Sequence, residues 1–217
     1  MSDVTPCVVV AASAAHRACL AALFADTAHA SAGCYCRFWH FEGDDNAWQA
    51  RLAEPDANRV AFERDLAAGA PEAAGLVALD ADGRALGWLK LAPKAVLGKL
   101  ATRRPYRGVA CLSGARAAES GVLVIGCALV LASERRRGVF AALVAGAVGH
   151  ARRTGAHAVE AVPRRAQGPV RDEELWTGVP SVFERLGFRA VDGHEAYPVL
   201  RLELAPAGAG AEGASRA

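Results

Sequence analysis

Lysine is almost missing from this chain: Lys90, Lys94 and Lys99 stand against 22 arginines in 217 residues. The arginine and alanine excess most simply reflects a GC-rich coding bias, and the formal net charge of +2 is too small for a nucleic-acid-binding protein. No apolar run reaches membrane-spanning length, and the N-terminus lacks the basic start, apolar stretch and small-residue cleavage site of a secretory leader. A cytoplasmic protein without a membrane partner is therefore expected. The Gly-Lys-Ser/Thr ending of a P-loop is absent, as is the Gly-x-Gly-x-x-Gly dinucleotide fingerprint. The six cysteines, Cys7, Cys19, Cys34, Cys36, Cys111 and Cys127, have irregular spacing that does not resemble a disulfide framework, so reduced thiols are expected.

What is present is core-forming material, 53% hydrophobic and 22% charged, enough for one domain with a sizeable interior. Its most informative stretch is Val122 to Ala151. An apolar, strand-like run ends at Ala132, breaks into Ser133-Glu134-Arg135-Arg136-Arg137-Gly138-Val139-Phe140, and continues as an Ala/Leu/Val helix. A helix N-terminus exposes unpaired N–H groups and about half a positive charge, so arginines placed there make a site for a phosphate or pyrophosphate. Arginine runs near helix ends are also common on solvated surfaces. The spacing favours the anion site, because the helix opens directly after the strand and aims its amides at the strand's C-terminal edge.

This segment resembles the acyl-coenzyme A signature of the GNAT acetyltransferase superfamily, Arg/Gln-x-x-Gly-x-Gly/Ala, laid on Arg135 to Phe140. Five of the six places fit, and Phe140 departs from the small residue preferred there. The resemblance extends to the hairpin Gly75–Leu79 and Ala85–Pro93 and to Ser181–Phe188, a late helix ending in Leu-Gly-Phe. It implies a mixed α/β (α+β) fold: a bent, mostly antiparallel sheet of about six to seven strands, flanked by helices and splayed at the cofactor-binding strand. It also implies one domain over residues 1–204, with an acceptor-side part (1–70) and an acyl-CoA-binding part (71–204). The implied activity is transfer of an acetyl group from acetyl-CoA, without a metal, to an amine of a small molecule or peptide by direct attack in a ternary complex. Leu129, Val130, Leu131, Arg135, Arg136, Arg137, Gly138, Val139, Phe140 and Phe183 would contact the cofactor. Dimerisation is frequent in the family, and a homodimer is one expectation.

Periodicity places a strand near Cys7–Val10 and helices over about 16–28 and 58–68, the second burying Val60, Phe62 and Leu66. Asp82-Gly83 marks a hairpin turn. Residues 94–120 lack periodicity and read as a long basic loop, of the kind that serves as a lid or is disordered. Its Lys94, Lys99, Arg103, Arg104 and Arg107 suit either an acidic acceptor or the 3′-phosphate of the cofactor. A strand over 157–162, a helix over about 175–186, two closing strands and a disordered tail over 205–217 complete the reading.

Acyl transfer needs a donor for the thioester oxyanion, a base for the amine and an acid for the leaving thiolate. An amide near Leu129 to Leu131 is the expected donor. Glu160, in the apolar strand beside the signature, is the expected base if desolvation raises its pKa, and a solvent-facing rim residue otherwise. The family's usual tyrosine acid falls on Phe183, which cannot donate. Ser181 and Thr177 could relay a proton through water or simply serve the helix turn and cap. Cys127 is a small core residue or a nucleophile.

Cys34-Tyr35-Cys36-Arg37-Phe38-Trp39-His40, together with Trp176-Thr177-Gly178, resembles one bacterial branch of GNAT-like proteins. Cys36, Trp39, Trp88, Trp176 and Thr177 would then line the acceptor pocket with Trp48 as a further wall, although aromatics at a sheet end also simply close a core. Two other functions remain open: a non-catalytic CoA-binding or regulatory module, and a metal or electrophile binder using Cys34, Cys36, His40 and His29.

Overall fold

The computed structural model describes residues 4–26, 32–54 and 56–205. His29 and the tail from 206 onward, to which two of the expectations above refer, lie outside them. Among the described residues seven strands form a single sheet: β1 (Val8–Ala11), β2 (Gly75–Leu79), β3 (Ala85–Pro93), β4 (Val122–Val130), β5 (Ala158–Ala161), β6 (Arg189–His194) and β7 (Tyr197–Glu203). Their order is β1-β2-β3-β4-β5-β7-β6, and every pair is antiparallel except β4–β5. The expected mixed, mostly antiparallel sheet is therefore what the chain forms.

Local chemistry explains the joints. Between β2 and β3, Asp80 Oδ1 accepts the Asp82 and Arg84 amides at 3.0 and 2.8 Å, and Gly83 takes the positive φ the turn needs. The parallel β4–β5 pair needs a crossover. That crossover is the helix Val139–Arg153, which buries Val139, Leu143, Val144, Ala147, Val148 and Ala151 along one face over β3. Parallel pairing covers only Val122 to Ile125; from Gly126 onward β4 pairs with β3 alone, so the sheet splays there.

The helices are α1 (Arg17–Phe24), α2 (Asp45–Leu52), α3 (Ala57–Ala67), α4 (Lys99–Thr102), α5 (Val139–Arg153) and α6 (Pro180–Arg185). Opposite α5, α1 and α3 close on Trp88, whose ring centroid lies 5.9 Å from Phe24 and 5.6 Å from Phe62. Phe62 and Leu66 are buried as expected, but Val60 points to solvent because it sits on the outer side of α3. The expected helix over 175–186 shrinks to α6, because Pro180 forces Val179 into an extended conformation.

The largest departure is residues 94–120. Instead of a loop or lid, they form a string of short helical turns that bury Leu97, Leu100, Tyr106, Val109, Cys111 and Leu112 against Val122, Val124, Val162 and Val199. Lys94 and Glu160 pair at 2.8 Å with both side chains fully buried, and Arg201 reaches Glu160 at 2.8 Å and Glu119 at 2.9 Å. Among the described residues no helix is long and apolar enough to cross a membrane.

Candidate functional site

The turn after β4 is held from below by Glu134, a buried carboxylate that receives Thr5 Oγ1 at 2.9 Å and sits 3.4 Å from both Arg84 and Arg137. Arg136 (φ +62°) and Gly138 (φ +86°) are both left-handed, and this backbone turns β4 straight into α5. The amides of the first turn of α5 have no intrahelical acceptor and lie at the positive end of its dipole. Arg135 folds back, donating Nε to the Val130 carbonyl at 3.4 Å and Nη1 to Asp172 at 2.9 Å. Arg136 is exposed and has no carboxylate partner among the described residues. Phe140 turns inward, edge-on to Phe183 at 5.6 Å, and its ring would lie 2.5 Å from a Cβ at Gly178. Only glycine fits at residue 178, both for that contact and for its φ of +88°.

Strand alternation fixes which β4 groups face the splay. Leu131 donates its amide to the Leu86 carbonyl at 3.0 Å, and Leu129 sits in the next hydrogen-bonded pair, opposite Trp88. Ala128 and Val130 therefore point outward. The Ala128 amide is donated to the Trp176 carbonyl at 2.7 Å, and the Val130 carbonyl is taken by Arg135. Of the expected donors at Leu129–Leu131, the amides of Leu129 and Leu131 face β3, and that of Val130 faces the splay beside Ala128. The anion cradle fits a diphosphate group. Beyond it, in this conformation, the splay is crossed by the Asp172–Gly178 segment and the Phe140 ring.

On the opposite side of that segment lies a cavity of about 470 Å³ walled by Phe38, Trp39, Trp48 and Trp176, with Cys36, Cys127 and Ala128 also lining it. The Trp39 and Trp176 rings lie 5.5 Å apart, and Trp39 rests on Gly126, where a Cβ would meet its indole nitrogen at 2.7 Å. Cys36 and Cys127 are joined in a disulfide, and the Trp88 indole donates to Cys36 Sγ at 3.1 Å. Arg103 stacks over Trp176 at 4.8 Å and reaches both this cavity and a smaller one of about 250 Å³, shared with Arg164, Arg171 and Glu174.

No family model matches the sequence, and neither does any curated protein. Among solved structures, the PaiA N-acetyltransferase from Thermoplasma acidophilum in complex with coenzyme A superposes with a TM-score of 0.51 at 8% identity, over 92% of this chain and all of that one. A GNAT-family acetyltransferase from Listeria monocytogenes gives 0.52 at 12% identity, over 92% of this chain and 96% of that one. This is the GNAT fold. At such identities the likeness is one of architecture, and the GNAT fold brings no residue role with it.

Several expected site residues lie together: Cys36, Trp39, Trp176, Cys127 and Leu129 line the larger cavity. Others do not join them. Glu160 is fully buried between Lys94 and Arg201, on the face of β5 that Ala158 turns toward the 94–120 segment, so it is a paired structural carboxylate and not a free base. Lys94 is likewise spent on that pair and does not serve a ligand. Ser181 is exposed on α6 with Val179 as the cap, Trp88 is buried behind Cys36, and Thr177 lines only the smaller cavity. Arg137 is held by Glu134 rather than aimed at a ligand.

Cys7, Cys19, Cys34 and Cys111 are free thiols as expected, but the expectation fails for one pair: Cys127 is neither a free core thiol nor a nucleophile here, since its sulfur is bonded to Cys36. The same bond removes Cys36 from the metal reading, while His40 Nδ1 lies 2.8 Å from the Val96 carbonyl. Sequence reasoning passed over Asp45, the carboxylate lining the larger cavity, and Gln49 one turn later on α2. The Asp44-Asp45-Asn46 run was the available signal, because Asp44 caps α2 by accepting the Ala47 amide at 2.8 Å.

Proposed function

We propose that the chain is an N-acetyltransferase that moves an acetyl group from acetyl-CoA to an amine of a small molecule or peptide by direct attack in a ternary complex. The observation that carries this reading is the junction itself: a strand that leaves its parallel neighbour at Gly126, followed directly by a helix whose first-turn amides are free. The coenzyme A bound by the Thermoplasma protein on the same fold supports it. Acetyl-CoA would supply the activated thioester. The amides of Val139 and Phe140, with Arg136, would hold its pyrophosphate. Val130, whose amide faces the splay, would offer it to the thioester oxygen, with the Ala128 amide beside it once the Trp176 carbonyl lets go. Asp45, at the cavity rim, would take the proton of the acceptor ammonium. The thiol leaves near its own pKa of about 8.5, so the loss of an acid at Phe183 is tolerable.

The crossing of the splay by Trp176 and Phe140 favours a second reading, a CoA-binding module without turnover. Calorimetric titration with acetyl-CoA, repeated on Gly138→Glu, together with thiol release over a panel of amines, separates the two. Micromolar binding lost in the variant, with turnover of at least one amine, is expected. Binding without turnover supports the module, and no binding by a folded wild-type protein overturns both.

A further inference from the structure

We propose that the acceptor is an amine that also carries a carboxylate, and that Arg103 grips that carboxylate. The inference rests on the acetyl-transfer reading for the word acceptor, but its geometry stands apart from it. Arg103 follows α4 and is held on two aromatic faces, 4.8 Å from the Trp176 ring centroid and 5.3 Å from that of Tyr106. Its Nη1 donates to the Tyr106 hydroxyl at 3.2 Å, and that hydroxyl is itself anchored by donating to the Val162 carbonyl at 2.9 Å. One edge of the guanidinium is thereby fixed. The other has no carboxylate partner among the described residues. A guanidinium stacked and pinned in this way has little left to lose in ordering, and its free edge matches a planar carboxylate.

The neighbourhood reinforces the sign. Arg164 and Arg171 share one carboxylate, Glu174, at 2.6 and 3.3 Å, so among the described residues three guanidiniums and one carboxylate line the smaller cavity. Asp172, two residues before Glu174, is tied to Arg135. The two cavities meet at Arg103 and Trp176, and the larger one runs from there past aromatic walls to Ala128 and Cys127. An acceptor with its carboxylate at Arg103 and an apolar body against Trp39 and Trp176 would present its amine toward the splay. A polycationic amine would instead bring positive charge to three arginines.

The test compares matched pairs that differ only in the carboxylate: phenylalanine with phenethylamine, tyrosine with tyramine, and tryptophan with tryptamine. Binding is read by calorimetry and tryptophan fluorescence, with and without coenzyme A. The carboxylated member should bind at least about 10-fold more tightly, the scale of a hydrogen-bonded charge pair. Arg103→Gln should bring each ratio to within about twofold without weakening the plain amine, and Arg103→Lys should restore part of it. Arg171→Gln, at an exposed side chain that unfolding does not threaten, should reduce the ratio by a smaller factor. Equal binding within every pair, a ratio that survives Arg103→Gln, or no binding by any member overturns the proposal. If the ratio holds but no amine is ever acetylated, the acetyl-transfer reading fails and the carboxylate site stands. Turnover confined to amines without a carboxylate gives the reverse.

Discussion

Phe140 stands at the last place of the segment that resembles the acyl-CoA signature, and its ring fills the gap between α5, Gly178 and Phe183. Phe140→Ala should lower stability by about 3 kcal/mol and tighten acetyl-CoA binding; a lower melting temperature with unchanged affinity would show that the ring is not in the way. His40 gives a second expectation at this scale. Burial pushes its pKa down to about 3, with Lys90, Arg37 and Asp65 as its charged neighbours. A neutral imidazole is favoured in the folded chain, so stability falls as pH drops from about 6.5 toward 3. Glu119, whose hydrogen bond from Arg201 holds it down to about 2, adds a further loss as pH falls through its unfolded value of 4.5. Melting temperature against pH should therefore decline in two stages, and His40→Gln should remove the first. The Phe140 departure was legible in sequence because the signature is local. The burial of Glu160 and the bonding of Cys127 were not, since both depend on partners far away in the chain.

At the scale of elements, the segment from Asp172 to Gly178 decides what the splay can accept. Its contacts include Arg135–Asp172 at 2.9 Å, Arg164–Glu174 at 2.6 Å and the Ala128 amide to the Trp176 carbonyl at 2.7 Å. Asp172→Ala should release one end, speeding amide exchange at Ala128 in hydrogen-exchange measurements and raising acetyl-CoA affinity. Unaltered exchange would mean that the remaining contacts suffice. Strand β4, the basic turn and α5 could be read from sequence because each carries its own signal: an apolar run, a glycine and a helical period. Residues 94–118 could not, because consecutive short turns have no period to detect, and their burial is set by β4, β5 and β7 packing beneath them.

Across the whole molecule, one sheet carries both the anion cradle and the aromatic cavity, and the disulfide ties the N-terminal aromatic segment to the centre of that sheet. Cys36 and Cys127 are 91 positions apart, so the bond removes much loop freedom from the unfolded chain. Reduction should cost about 3 kcal/mol and lower the melting temperature by roughly 10 °C; no shift would show that the link adds nothing to the packing around Trp88. The mixed sheet was legible because hairpin turns and a crossover helix announce themselves locally, whereas the cross-link was not, since six irregular cysteines contain no pairing. The link also makes residues 36–127 a closed covalent ring that includes every lysine of the protein and the exposed Arg104 and Arg107. A single cleavage inside that ring would open it without releasing a piece, and the chain would fall into two only when the sulfurs part.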